Sequence, residues 1–154
     1  MTGDHLAAAY LAKARARRRV LEVLTDERAW SDVVREAQEL VELALKAALR
    51  VVGIDPPKWH DVGPILVESA RAFPEPFASA IPRLAEISRW LRRERELAFY
   101  GDVDLVPTES YHEGDAARAM ADAFEVYAAI EALMTDREAP QGTEDESPLS
   151  DRSP

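Results

Sequence analysis

The chain has 154 residues, with 29 acidic against 19 basic side chains, a formal charge of −10, 47% hydrophobic residues and no cysteine. That length fits one domain, able to bury roughly 70% of its unfolded surface without staples. The missing cysteine removes thiol nucleophiles, disulfides and Cys-ligated zinc or iron–sulfur sites.

The first apolar stripe, Leu6, Tyr10, Ala14, Leu21 and Leu24, is built from steps of three and four and predicts a helix. The second runs Trp30, Val33, Val34, Ala37, Leu40, Val41, Ala44, Leu45, Ala48, Val51 and Val52. Its interior has neither Gly nor Pro, and Gly53 supplies the stop. Ile54-Asp55-Pro56-Pro57 breaks the chain. Asp61 is the expected N-cap of a short third helix with Pro64 in its first turn, running through Ile65, Leu66 and Ala70 to Phe73. A fourth helix is expected over 77–99, with Pro82 in or near its first turn because a deeper proline breaks the hydrogen-bond ladder. Asp102 to Gly114 is a polar loop, and a fifth helix is expected from an N-cap at Asp115, with Ala116, Ala119, Met120, Ala123, Val126 or Tyr127, Ile130 and Leu133 inward.

No period-two run of β-branched residues competes with this reading. The fold class is all-α: an antiparallel up-and-down bundle of four long helices plus a short one, over residues 1–135. Its high Ala content predicts close helix packing. From Asp136 to Pro154 the chain is rich in Pro, Ser and acid, with Leu149 its only large aliphatic, and is expected to be a disordered acidic tail. No apolar run approaches the ~18 residues of a membrane span, and the N-terminus lacks a signal-peptide core, so the chain is expected to be soluble and cytoplasmic.

Net acidity argues against nucleic acid, but the charge is uneven. Residues 1–99 hold 16 basic and 15 acidic side chains, whereas residues 100–154 hold 3 and 14. Two basic islands stand out: Arg15, Arg17, Arg18 and Arg19, then Arg89, Arg92, Arg93 and Arg95. A charge run of this kind is ordinarily a solvated helix face.

Familiar catalytic signatures are missing. No Ser lies in a Gly-x-Ser-x-Gly elbow and no two Gly form a phosphate-binding loop. The three His residues, His5, His60 and His112, are far apart, and the one Glu-x-x-His spacing, Glu109 to His112, falls alone in a loop, so neither a metal nor another cofactor is expected. His60 is expected to cap or pack, with Trp59 in the core.

The end of the fourth helix holds the chemistry. It reads Arg89-Trp90-Leu91-Arg92-Arg93-Glu94-Arg95-Glu96-Leu97-Ala98-Phe99-Tyr100-Gly101-Asp102. Arg93 and Tyr100, seven apart, share a helix face, and Arg92, Glu96 and Phe99 or Tyr100 form a second row. A guanidinium holds a phosphodiester bidentately and stabilises charge developing on it. A tyrosine hydroxyl hydrogen-bonds or accepts a transferred group. The plain alternative is an exposed Arg/Glu helix end laced with i,i+4 pairs.

Two segments resemble the HEPN domains (higher eukaryotes and prokaryotes nucleotide-binding). One is Glu36 to Leu49, leading through Gly53 and Pro56-Pro57-Lys58 to His60-Asp61-Val62-Gly63-Pro64-Ile65-Leu66. It is similar to the family's Glu-rich helix with a Leu-Lys-Ala segment, a loop, and His-Asp opening a short helix. The other is Arg95-Glu96-Leu97-Ala98-Phe99-Tyr100-Gly101-Asp102, before an acidic loop and a last helix. The resemblance spans roughly residues 5–135 and implies a helical bundle. It also implies a homodimer in which the basic ends of the fourth helix converge across a two-fold axis. Many family members are metal-independent ribonucleases with an Arg, four to six residues, then His. Many are toxins encoded beside a minimal nucleotidyltransferase antitoxin, which in some pairs transfers adenylyl groups to a Tyr near that motif.

This chain departs from the motif, since no His lies between Arg89 and Tyr100. If Tyr100 matches the family's nearby Tyr, Ala98 stands in the His place and Arg93 in the Arg place. If Tyr100 replaces the His itself, Arg95 or Arg93 fits the spacing. A phenol with a pKa near 10 is a poor acid–base group at neutral pH.

Three readings follow, in this order. The first is a toxin-type module pairing with a nucleotidyltransferase antitoxin, with Tyr100 as the modification site. The second is a non-catalytic dimer or scaffold that binds a nucleotide or RNA through Arg92, Arg93 and Arg95. The third is a ribonuclease with a non-standard site, using Arg93 or Arg95 on phosphate and Tyr100 or His112 for proton transfer.

Overall fold

The computed structural model describes residues 3–58, 61–100 and 110–138, with the backbone alone at 97–100 and 138. Five α-helices appear among the described residues: α1 (Gly3–Asp26), α2 (Trp30–Val51), α3 (Val62–Glu68), α4 (Phe77–Tyr100) and α5 (Glu113–Glu138). A single 3₁₀ turn, Ala70–Ala72, links α3 to α4. The four long helices form the expected antiparallel bundle, α3 is the short fifth element, and no strand occurs among the described residues. No described helix is long and apolar enough to cross a membrane.

The centre is α2. Leu40, Leu45 and Leu49 have no exposed surface, and Val33, Val34, Ala37, Ala44, Ala47 and Ala48 are equally enclosed. Those residues form a wide apolar face over a little more than half of the helix, covered by more than one neighbour, while Arg35, Glu39, Glu42, Lys46 and Arg50 hold the other side. Helices α1, α4 and α5 all pack on it.

Against it, α1 buries Ala7, Ala14 and Leu21, a repeat of seven that keeps one line of the helix on α2. The expected stripe is therefore rotated slightly: Leu6, Tyr10 and Leu24 are half-buried at its margin. Two alanines on the contact line let the backbones approach closely. On α5 the expected inward residues are buried except Met120, which is half-buried.

The ends of the helices obey local rules. Gly53, at φ 77°, follows α2, its N–H donating to the Arg50 carbonyl while Ile54 N–H reaches Leu49. This pair of bonds satisfies carbonyls the helix would otherwise orphan, and it needs a left-handed residue that glycine adopts without penalty. The same pair closes α1, from Arg28 to Thr25 and from Ala29 to Leu24, but there a non-glycine residue, Arg28 at φ 55°, takes the left-handed position.

Asp61 caps α3 as expected, its carboxylate accepting from Gly63 N–H at 3.1 Å. The helix ends at Glu68 and not at Phe73. Pro74 disfavours helical geometry for the residue before it, and Phe73 is accordingly extended. Phe73 instead turns inward and packs on Phe77, with ring centroids 4.9 Å apart.

Pro82 is the sixth residue of α4, in its second turn and exposed. Helix α5 starts two residues before Asp115, which acts from the third helical position and not as the N-cap: its carboxylate accepts the His112 N–H at 2.9 Å. The helix runs to Glu138, three residues past the expected boundary at 135.

Candidate functional site

The basic stretch of α4 does not form one cluster. Arg93 and Arg95 are two residues apart, so at roughly 100° per residue they leave the helix on nearly opposite sides. Arg93 faces solvent with 74% of its side chain exposed, its Nε 4.0 Å from Glu94 Oε1. Arg95 turns onto α2, where its Nη1 donates to Gln38 Oε1 at 2.8 Å and lies 3.8 Å from Glu39 Oε2. Arg92 is half-buried between these directions. The Tyr100 backbone closes α4; its side chain, like Trp59 and His60, lies outside the described residues. His112 is exposed at the entry to α5.

Behind Arg95 runs a polar line along α2. Gln38 is 5% exposed and its amide is used at both ends, accepting from Arg95 and donating to Glu42 Oε2 at 3.0 Å. Glu42 is bridged in turn by Lys46 Nζ at 3.0 Å. Burial pushes the Glu42 carboxyl up, yet the Gln38 and Lys46 bonds and the charges of Lys46 and Arg95 outweigh it and hold the group below its ordinary value. The sequence carried a signal for this line: Gln38, Glu42 and Lys46 recur every four residues and so share one side of α2.

On the α1 side of this line, Arg17 pairs with Glu36 at 3.2 Å. Arg17, Arg35, Glu36, Glu39 and Arg95 together line an open cleft of about 190 Å³. Arg17 thus points to α2, whereas its neighbour Arg18 stacks over Phe124 and Tyr127 of α5, 4.8 and 5.0 Å from the ring centroids. Like the α4 stretch, the first basic island divides between two faces.

A different arrangement faces α5. Asp122, 8% exposed, accepts from Trp90 Nε1 at 2.9 Å and from Arg83 at 3.1 Å. Arg118 stacks on Trp90, 4.2 Å from the ring centroid. Nearby, the Tyr111 hydroxyl contacts the Glu94 carbonyl at 2.9 Å and its carboxylate at 3.1 Å. Burial first, then the Glu94 charge and hydrogen bond and the Asp115 charge, push the Tyr111 phenol up to about 12, so it is a protonated donor at neutral pH. Tyr111 fastens the start of α5 to the turn of α4 that carries Arg93 and Arg95. Nothing in the polar loop reading singled it out, because one buried tyrosine among Glu, Ser and His has no periodic signature.

Among the described residues, no group of three His, Asp or Glu side chains converges as a metal site would. The arrangement on the α2 side can hold an anion: it brings Arg17, Arg35 and Arg95 to one open cleft, with the Arg17 and Arg95 side chains 41% and 39% exposed. No His stands beside them for proton transfer within the α4 stretch.

The HEPN domain profile matches residues 7–133, from the first buried alanine of α1 to the last buried leucine of α5. No curated protein and no solved structure gives a significant match. With the profile spanning most of the chain and the bundle in agreement, the chain belongs to the HEPN domain family.

Proposed function

We propose that this chain is a toxin-type HEPN module that pairs with a minimal nucleotidyltransferase in the cytoplasm, and that it works as a homodimer engaging a nucleotide or RNA through Arg92, Arg93 and Arg95. The observation that carries this reading is the last three turns of α4 in a HEPN domain: Arg92, Arg93 and Arg95 followed by Tyr100, with no His between them. Without an imidazole in that stretch, phosphate binding is retained and acid–base catalysis is not. Tyr100, on the terminal turn, is the acceptor for an adenylyl group in this reading.

The test is direct. The chain is incubated with the nucleotidyltransferase encoded beside it and ATP, and its intact mass is measured. The expected result is a gain of one or more adenylyl groups that Tyr100→Phe abolishes. An unchanged mass, or modification that persists in Tyr100→Phe, rejects the assignment.

A second reading, a non-catalytic dimer that binds nucleotide or RNA, is favoured by the way Gln38 immobilises Arg95. It predicts salt-sensitive RNA binding without cleavage. Metal-independent cleavage lost in Arg93→Ala or Arg95→Ala would instead support the third, a ribonuclease with a non-standard site.

A further inference from the structure

We propose that the cleft between α1, α2 and α4 is a phosphate-ester subsite in which Arg17 and Arg35 join Arg95. It rests on the reading above that the arginines of α4 engage a nucleotide or RNA, and it adds two residues from other helices to them.

Three guanidiniums, one from each of three helices, line one cleft. Its volume of about 190 Å³ equals roughly six water molecules at ~30 Å³ each, enough for a phosphate and part of a sugar. The lining carries three Arg and two Glu, a net charge of +1. The carboxylates serve as holders. Glu36 forms an ion pair with Nη1 of Arg17, Glu39 one with Nη1 of Arg95, and Gln38 accepts the Arg95 Nη1 hydrogen bond. A guanidinium has five N–H donors in a planar fork, so anchoring Nη1 of Arg95 directs its Nε and Nη2 edge toward a bidentate phosphate contact. The Arg17 and Arg95 side chains are 41% and 39% exposed, so they reach solvent while their stems stay packed.

The Gln38–Glu42–Lys46 line fixes Arg95 before any ligand arrives. A side chain ordered in advance loses less entropy on binding. The α5 side of α4 lacks this character: there Arg83 is drawn onto the carboxylates of Asp122, Glu125 and Glu86, and Arg118 onto Asp122 and the Trp90 indole.

The full chain is titrated with ATP and, separately, with a short single-stranded RNA. Arg17→Gln and Arg35→Gln are each expected to weaken binding about tenfold, the size of a lost charge-assisted hydrogen bond. With RNA, the slope of log K on log salt should fall by about 0.7 for each lost contact. Loss with both probes identifies a subsite for any phosphate ester; loss with RNA alone identifies one for the strand; either supports the cleft. In the unmutated protein, the guanidinium NMR signals of Arg17, Arg35 and Arg95 should shift together when the probe is added, a readout that does not depend on a variant folding. Unchanged binding in both Gln variants, with Arg95→Gln weakened, overturns the subsite and leaves the α4 reading standing. Failure of the unmutated protein to bind either probe overturns both.

Discussion

Helix α4 is held by two polar seams built on opposite plans. On the α5 side a single buried carboxylate, Asp122, gathers Trp90 and Arg83, and Arg118 closes over the indole. On the α2 side a line of polar groups runs Lys46, Glu42, Gln38, Arg95 and Glu39, with the neutral Gln38 amide linking its two ion pairs, and the line ends at an open cleft. The first plan buries the carboxylate and surrounds a half-exposed arginine with acids, since Arg83 also meets Glu125 at 3.2 Å, and it ties two helices together. The second keeps a guanidinium ordered but reachable. Pairing alone does not separate a structural arginine from a binding one. What separates them here is whether the guanidinium is surrounded by carboxylates, as Arg83 is, or shares a cleft with other arginines, as Arg95 does.

The largest expected effect lies on the α5 side, at its buried carboxylate. Asp122→Ala removes the acceptor of a buried indole N–H and an arginine, and should cost about 2–3 kcal/mol of stability by denaturant unfolding. Asp122→Asn keeps one acceptor and should recover about half. A loss well under 1 kcal/mol would show that the α5 seam is not a lock and would break the contrast.

On the open side, Gln38→Met keeps the volume and removes both amide bonds. We expect a smaller stability loss, about 1–2 kcal/mol, joined to a clear loss of affinity for ATP or RNA. A larger stability loss than in Asp122→Ala, with affinity intact, would reverse the roles of the two seams.

The smallest effect is the pH dependence of the α2 line. Glu42 has a depressed folded pKa, so its contribution to stability is present above the ordinary value of 4.5 and is lost as pH falls through the folded one. Melting temperatures taken on either side of pH 4.5 should therefore fall more on acidification in the unmutated protein than in Glu42→Gln. Equal slopes would remove Glu42 from the working part of the line.

The fold was legible because its signals are periodic and local. The α2 stripe, the Gly53 stop and the Asp61 cap each state their structure within a few residues. The end of α3 was misread because the apolar pattern carries on through a 3₁₀ turn at Ala70–Ala72 after the helix has closed at Ser69, and Pro74 accounts only for the extended Phe73. The family could be read from the Glu36–Leu49 and Arg95–Asp102 segments. The site was legible only as a stretch of α4. That Arg93 faces water while Arg95 faces α2 follows from helical phase, but which phase faces α2 depends on packing. The hydrogen-bond partner of Arg95, Gln38, is 57 residues away in sequence, and the Trp90–Asp122 bond spans 32. No local rule supplies such pairs. Arg17 and Arg18 show the same limit, adjacent in sequence yet committed to different helices.

The most direct test of the central claim compares one arginine from each side of α4. RNA affinity is measured across a range of salt concentrations for Arg95→Gln and Arg83→Gln, with melting temperatures recorded for both. The account predicts about a tenfold loss and a flatter salt slope for Arg95→Gln, with Arg83→Gln binding as the unmutated chain does. Equal losses in the two variants, or a greater loss in Arg83→Gln, would contradict it.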